Sequence, residues 1–244
     1  LQEQLNVAKV AFGPNFTLVK ADVRKFFYSI DRDVLKLILA KYIYCNWTLA
    51  LLFAIIDSSP EPLGLPLGNL TSQLFANILM NELDQFCKRT LSISFYLRYA
   101  DDVFVIAPNV QLAKQWLNEI ISYTKNTLKL EMHPLKSGVK TYSDIQGLDG
   151  LGFKIRWQHI ALSSQSKNKI KHYLNRIQRQ DYTVFYIKEI EQSVNGWLTH
   201  ARVGHCEHFV QFLLNKYPTL LTLRENGCFQ LKYSSVTCHP KWPV

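Results

Sequence analysis

Phe95-Tyr-Leu-Arg-Tyr-Ala-Asp-Asp-Val-Phe-Val-Ile-Ala107 is the stretch on which the fold turns. Apolar and aromatic residues run up to two adjacent carboxylates and resume at once, a pattern that predicts strand, two-residue acidic turn, strand. With Phe95, Leu97, Val103 and Val105 burying its flanks, such a hairpin fixes Asp101 and Asp102 side by side at its tip. Two like charges held together raise one pKa unless a cation arrives, and a divalent metal is the natural partner. Taken by itself, the same pattern also reads as a solvated turn.

The surrounding chain has 244 residues, 48% hydrophobic and 13% aromatic, enough for one large domain or two smaller ones. A net charge of +9 and a pI near 9.3 point to a polyanionic partner, nucleic acid before anionic membrane, with an unspecialised basic surface as the alternative. Five cysteines (Cys45, Cys87, Cys206, Cys228, Cys238) form an odd set without a C-x-x-C pair. That argues against a disulfide scaffold and for a reduced, intracellular setting. The longest apolar run, Leu49 to Ile56, is too short to cross a bilayer and predicts a buried helix; no secretory signal precedes it. The first residue is Leu1, not Met, from which a further upstream segment is expected.

Outward from the hairpin, residues 1 to 17 lack a firm period and end in the turn signal Gly13-Pro14-Asn15. Thr17 to Asp22 alternates like a strand and ends on a third carboxylate. From Asp31, a candidate N-cap, Val34, Leu35, Ile38, Leu39 and Tyr42 recur at helical spacing, and a second helix is expected over 47–57. Pro60, Pro62, Gly64, Pro66 and Gly68 mark a loop that runs into a helix over 69–86, with Leu70, Leu74, Ile78, Leu79 and Leu83 as its apolar stripe. Beyond the hairpin, 111–127 reads as a helix with Leu112, Trp116, Leu117, Ile120 and Ile121 inward. A polar turn over 132–138 and short strands follow. From Ser163 the pattern turns helical, over 163–180, 183–201 and 204–215. The boundary is therefore expected near residue 160, between an α+β first domain and a helical second one.

If the strands ending at Asp22 and Asp101 are neighbours in one sheet, their carboxylates converge. Two divalent ions about 4 Å apart can be held between such groups, the geometry of nucleotidyl transfer. The segments that carry this pattern are Ala21-Asp-Val-Arg-Lys-Phe-Phe-Tyr-Ser-Ile-Asp31, Gly64-Leu-Pro-Leu-Gly-Asn-Leu-Thr-Ser-Gln-Leu-Phe-Ala-Asn77 and Tyr99-Ala-Asp-Asp102. In this order they resemble motifs A, B and C of reverse transcriptases. Leu130-Glu-Met-His-Pro-Leu-Lys136 is similar to motif D and Leu151-Gly-Phe153 to the primer-grip strand, so the resemblance covers roughly residues 17 to 200. Gly68-x-x-x-Ser72-Gln73 and Ser193-Val-Asn-Gly-Trp-Leu-Thr-His-Ala201 look most like the bacterial and phage enzymes of diversity-generating retroelements, with group II intron relatives next.

The resemblance implies an α+β right-hand polymerase: a finger remnant over 1–17, a palm with an antiparallel sheet backed by helices over 18–160, a helical thumb over 161–215 and a tail over 216–244. It implies RNA-directed DNA synthesis from an RNA template, a DNA or RNA primer and deoxynucleoside triphosphates. Two Mg2+ ions, with Mn2+ as a substitute, would serve the reaction; an accessory protein is a candidate partner, no membrane is involved, and the setting is the bacterial cytoplasm. Asp22, Val23, Asp101 and Asp102 would hold the metals, with Asp102 in a supporting role. Phe27 falls where these enzymes place a steric gate under the sugar; its other reading is a core aromatic. Val23, Leu67, Gly68 and Gln73 would line the nucleotide site, and Leu67, where many relatives have glutamine, implies error-prone copying.

Lys136 reads either as the motif D lysine that neutralises pyrophosphate or as a solvated turn lysine. Arg98 and Tyr99 beside the turn, Leu151 and Gly152 in the grip, and Lys167, Lys171 and Arg176 on the basic helix would contact nucleic acid. For Arg98 the other reading is charge balance at the site together with Lys20, Arg24 and Lys25; for the basic helix it is a solvated face. His205, Cys206, His208, Cys228, Cys238 and His239 match no compact zinc spacing, and His200 reads as a packing residue. Because only 21 residues precede Asp22, the fingers are expected to be largely absent and this piece poorly active alone. The rival readings are a group II intron-like, retron or defence-associated enzyme, or a non-catalytic nucleic-acid-binding module on the same fold.

Overall fold

The computed structural model of the chain describes residues 1–66, 68–143, 146–179, 184–202, 204, 206–218, 220–223 and 229–231. Two compact units divide the chain after residue 143. This split falls ahead of the change in character near residue 160. Its cause is pairing: strands β5 (Leu148–Gly150), β6 (Phe153–Ile155) and β7 (Ile160–Leu162) bond to one another in a separate antiparallel sheet.

The first unit is built on a four-stranded antiparallel sheet of β1 (Thr17–Asp22), β2 (Tyr96–Tyr99), β3 (Asp102–Ala107) and β4 (Gly138–Thr141), in the order β2-β3-β1-β4. The period of two along each strand sorts its faces. Val19, Ala21, Val103, Val105 and Ala107 point into the main core, where they meet Phe75, Leu79 and Leu83 of α5 (Leu70–Gln85) and Ile120 of α6 (Val110–Asn126). Lys20, Asp22, Asp102 and Phe104 take the opposite face by the same alternation.

Helix starts follow the chemistry legible in the sequence. Asp31 caps α3 (Arg32–Tyr42), its Oδ1 accepting from the Asp33 and Val34 N–H groups at 2.9 and 3.1 Å, and Asn109 caps α6 by accepting from Leu112 N–H at 2.9 Å. Each such cap is worth about 1 kcal/mol.

Three helical expectations change. Residues Gln2–Phe12 form α1, with Leu5 and Ala8 buried; two buried positions three apart are too few to register as a period. On α5 the core stripe is Phe75, Ala76, Leu79, Met80 and Leu83, while Leu70 and Leu74 are 87% and 59% exposed. The spacing 70, 74, 78 is helical, but the bulkier set 75, 79, 83 sets which face turns inward. In α4 (Asn46–Ile56) only Ile56 is fully buried and Trp47 and Leu51 stand exposed, because one flank of a mostly apolar helix meets the core.

In the second unit the sheet β5-β6-β7 precedes α7 (Ser164–Arg179), α8 (Val184–Arg202) and α9 (Glu207–Lys216). No helix among the described residues is long and apolar enough to cross a membrane.

Candidate active site

The hairpin turn is displaced by one residue from its expected place. β2 ends at Tyr99 and pairs Tyr99 with Asp102, so Ala100 and Asp101 form the turn and Asp102 is the first residue of β3. Ala100 carries the bend, with φ 51. A one-residue slip would send Val103 and Val105 to the wrong face, so burial sets the register. The two acidic neighbours therefore divide: Asp101 sits at the tip, and Asp102 lies within the sheet, directly across from Asp22.

Partners in an antiparallel pair share a face, so Asp22 and Asp102 lie together with Lys20 two residues along. The Lys20 ammonium stands 3.2 Å from Asp102 Oδ1 and 5.4 Å above the Phe104 ring. It balances that oxygen's charge without an aligned hydrogen bond, for Asp102 Oδ1 is buried with no hydrogen-bond partner among the described residues. Asp22, 7% exposed, is paired with Lys136, whose Nζ is 3.3 and 3.2 Å from its two oxygens. The backbone around Asp22 is also fixed. Its C=O accepts from His133 N–H at 2.7 Å and its N–H donates to Ser137 Oγ at 3.1 Å.

Asp101 titrates above the usual carboxylate range. Burial is the main cause, the charges of Asp22 and Asp102 add to it, and its own backbone N–H and Lys136 oppose it. The turn carboxylate thus shares a field with Asp22.

Val23 forms a bridge with Met132 in which the bonds fall on the flanking residues, Arg24 N–H to Glu131 O and His133 N–H to Asp22 O. In such a pair the middle residue's own carbonyl faces away from its partner, toward the side on which β3 runs. Two carboxylates and a carbonyl form a hard oxygen set suited to Mg2+ or Mn2+, which take remaining ligands from water and phosphate. Among the described residues no three His, Cys, Asp or Glu side chains gather as one ligand group. Asp102, expected as a ligand, is turned to Lys20.

Beside the turn lies a pocket of ≈ 460 Å³, lined by Phe26, Phe27, Gln73, Ala76, Asn77, Arg98, Tyr99 and Ala100. Phe27 sits on the single helical turn α2 (Phe26–Ser29), its ring 5.3 Å from that of the buried Phe26. The loop before α5 is fastened under it. Leu65 N–H donates to Phe27 O at 2.9 Å and Gly64 N–H to Ile30 O at 2.8 Å, while the Arg32 guanidinium donates to the carbonyls of Ser59, Glu61 and Gly64. Gly64 has φ +85, and a Cβ there would stand 2.7 Å from Phe27 O. Gly68 also has a positive φ, +90, but open space where its side chain would be. Gln73 is exposed at the pocket; Leu67 lies outside the described residues.

Arg98 does not face outward. It shares the core face of β2 with Tyr96, and its fork closes on Asp84 of α5, Nε to Oδ1 at 2.7 Å and Nη2 to Oδ2 at 2.8 Å. Its fork is spent on Asp84 and not on the site carboxylates, because alternation along β2 points it at the helix layer. Tyr99 is 64% exposed. Asp84 and Asn77, which the sequence reading missed, had one available signal: both are polar and in phase with the buried Ala76 and Met80. An acid on a buried stripe needs a cation.

The second unit holds the other expected contacts. Leu151 and Gly152, φ 54 and 83, form the two-residue turn of a hairpin, and Gly152 O accepts from Ser163 N–H and Ser166 Oγ. On α7, Lys167 and Lys171 are half-buried over the rings of Phe209 and Phe212, with Lys171 Nζ 4.8 Å from the Phe212 centroid. The outward stripe is Lys169, His172 and Arg176, of which the sequence reading had named only Arg176. Cys206 is buried and donates to Gly204 O, and His208 is exposed. The His200 side chain, His205, Cys228, Cys238 and His239 lie outside what is described.

The profile of the reverse transcriptase (RNA-dependent DNA polymerase) family matches residues 12–174. No curated protein sequence matches. Among solved structures, apo telomerase from Candida tropicalis truncated from its C-terminal domain is similar with TM-score 0.52 at 14% identity, over 66% of this chain and 38% of that one. Telomerase from Candida albicans, in complex with a TWJ fragment of telomeric RNA, gives TM-score 0.55 at 13% identity, over 89% of this chain and 41% of that one. The chain thus spans well under half the length of either structure, and at these identities the likeness is one of fold.

Proposed function

Since the chain belongs to the reverse transcriptase (RNA-dependent DNA polymerase) family, we propose that it is an RNA-directed DNA polymerase, a nucleotidyltransferase that copies an RNA template from a DNA or RNA primer. The observation that carries this reading is the register Asp22↔Asp102, which brings the carboxylate ending β1 against the acidic turn. Asp22, Asp101 and the Val23 carbonyl would hold divalent ions, Mg2+ first and Mn2+ as a substitute. Bound there, the ions supply activation of the primer 3′-hydroxyl and neutralise charge on the leaving pyrophosphate.

The chain's own groups do the rest. Lys20 and Lys136 balance Asp102 and Asp22 in the free protein, and Lys136, 56% exposed at its side chain, is free to turn to the pyrophosphate. Phe27 lies beneath the sugar and leaves no room for a 2′-hydroxyl. Gly68 and Gln73 border the incoming nucleotide, and Tyr99 meets the primer end. Within the family the assignment is to the error-prone type of diversity-generating retroelements, supported by Leu67 and the Gly68-x-x-x-Ser72-Gln73 pattern. The four-stranded unit acts as palm, Leu151 and Gly152 as primer grip and α7–α9 as thumb.

Primer extension on a primed RNA with Mg2+ tests the reading. Incorporation by the unsubstituted chain, lost in Asp101→Ala, supports it; tight RNA binding by the complete protein without incorporation on any template favours a non-catalytic module instead.

A further inference from the structure

Asp84 and Arg98 form a closed, bidentate ion pair in the first unit. Their side chains are 18% and 11% exposed, and every oxygen of the carboxylate is used. Oδ1 accepts from Arg98 Nε and from the Tyr96 hydroxyl, both at 2.7 Å, and Oδ2 accepts from Arg98 Nη2 at 2.8 Å. The fork leaves Nη1 over, and Nη1 donates twice, to Asn77 Oδ1 at 3.1 Å and to Ala100 O at 2.8 Å.

Both targets belong to the site. A guanidinium only donates, so the Asn77 atom that faces it has to be oxygen, and the amide nitrogen is turned away. Asn77 is exposed, lines the pocket with Phe27 and Gln73, and no acceptor among the described residues takes its Nδ2. Two N–H donors are therefore left without a protein acceptor among the described residues, on a side chain that borders a cavity of ≈ 460 Å³. The other target, Ala100, has φ 51, a left-handed conformation that a non-glycine residue keeps only when its surroundings impose it. The bond from Arg98 to its carbonyl is such a constraint, and the next residue is Asp101.

We propose that Asp84 is a positioning residue of the site: through Arg98 it orients the Asn77 amide as a donor to oxygen acceptors of the incoming nucleotide and pins the turn that presents Asp101. The proposal rests on the nucleotidyl-transfer reading. Mere packing would use the pair to tie α5 to β2 and would leave the pocket indifferent to it. A bidentate pair with a second, doubly donating nitrogen instead couples the helix to both ends of the reaction site.

The test uses the 244-residue chain and three variants, with amide hydrogen exchange, Mn2+ binding by electron paramagnetic resonance, and dTTP binding by calorimetry with Mg2+ present. Asp84→Asn turns one acceptor oxygen into a donor facing a donor, and Arg98→Lys cannot fill four acceptors. In both, amides over residues 97–103 should exchange about ten- to a hundredfold faster, the range expected for lost charged hydrogen bonds, with the rest of the unit unchanged. Mn2+ affinity should fall roughly tenfold. Asn77→Ala, at an exposed position, should leave exchange and Mn2+ binding as they are and weaken dTTP by about tenfold.

Unchanged exchange and Mn2+ affinity in Arg98→Lys, or a uniform loss of protection across the unit, would overturn the positioning role. Unchanged dTTP affinity in Asn77→Ala, or no dTTP binding by the unsubstituted chain, would overturn the role given to Asn77. Primer extension is scored separately, on the complete protein: a complete protein that binds Mn2+ but extends no primer defeats the polymerase reading while the exchange measurement on the 244-residue chain still decides on the brace.

Discussion

Asp101 is held where its ionised form is disfavoured, by burial first and by Asp22 and Asp102 after it. Its folded pKa lies above the unfolded one, so the folded chain takes up a proton more readily, and the cost of the charge is present near neutral pH and relieved as pH falls through the raised value. Asp101→Asn should therefore stabilise the chain at neutral pH and lose that advantage in acid, as read from unfolding midpoints across pH. Mn2+ affinity should fall on acidification through the same range, and a flat pH profile would contradict it. In catalysis the order reverses: Asp101→Ala should cost roughly a thousandfold or more in primer extension, and Asp102→Ala less, because Asp102 is turned to Lys20. Phe27→Ala should admit ribonucleotides in a competition assay against deoxynucleotides. An unaltered preference would return Phe27 to the core.

Among elements, the loop before α5 and helix α7 carry the sharpest expectations. Gly64 combines a positive φ with a Cβ position 2.7 Å from Phe27 O, so Gly64→Ala should cost about 2 kcal/mol or more. The loss is measurable as a lowered midpoint in denaturant. Gly68→Ala has the same backbone strain but no steric clash, and should cost less stability. On α7 the cations divide by exposure. Lys169→Ala and Arg176→Ala should each lower RNA affinity and reduce its salt slope by about one, whereas Lys167→Ala should act mainly on stability, since its ammonium lies over the Phe209 ring. The alternation of Val103, Val105 and Ala107 was plain in the chain, but where the turn began was not, because strand pairing rather than composition selects among neighbouring turn residues.

For the whole molecule, the order of chemistry along the chain was legible without coordinates. Three acidic and glycine-bearing segments in sequence and a late helical region sufficed for an α+β unit with an oxygen-rich site, and their resemblance to reverse-transcriptase motifs supplied the antiparallel sheet backed by helices. Local chemistry writes these things: side-chain alternation, capping residues, and carboxylates that are costly to hold together unless they serve something. Partnership between distant residues is not written locally. Only the folded chain decided that Asp102 faces Asp22 while Asp101 takes the turn, that Lys20 and Lys136 balance the carboxylates, that Arg98 turns inward to Asp84, and that residues 148–162 pair among themselves. Each of these choices depends on which face of a strand or helix is buried, and a slip of one residue on β2 or a rotation of one position on α5 would have reversed it.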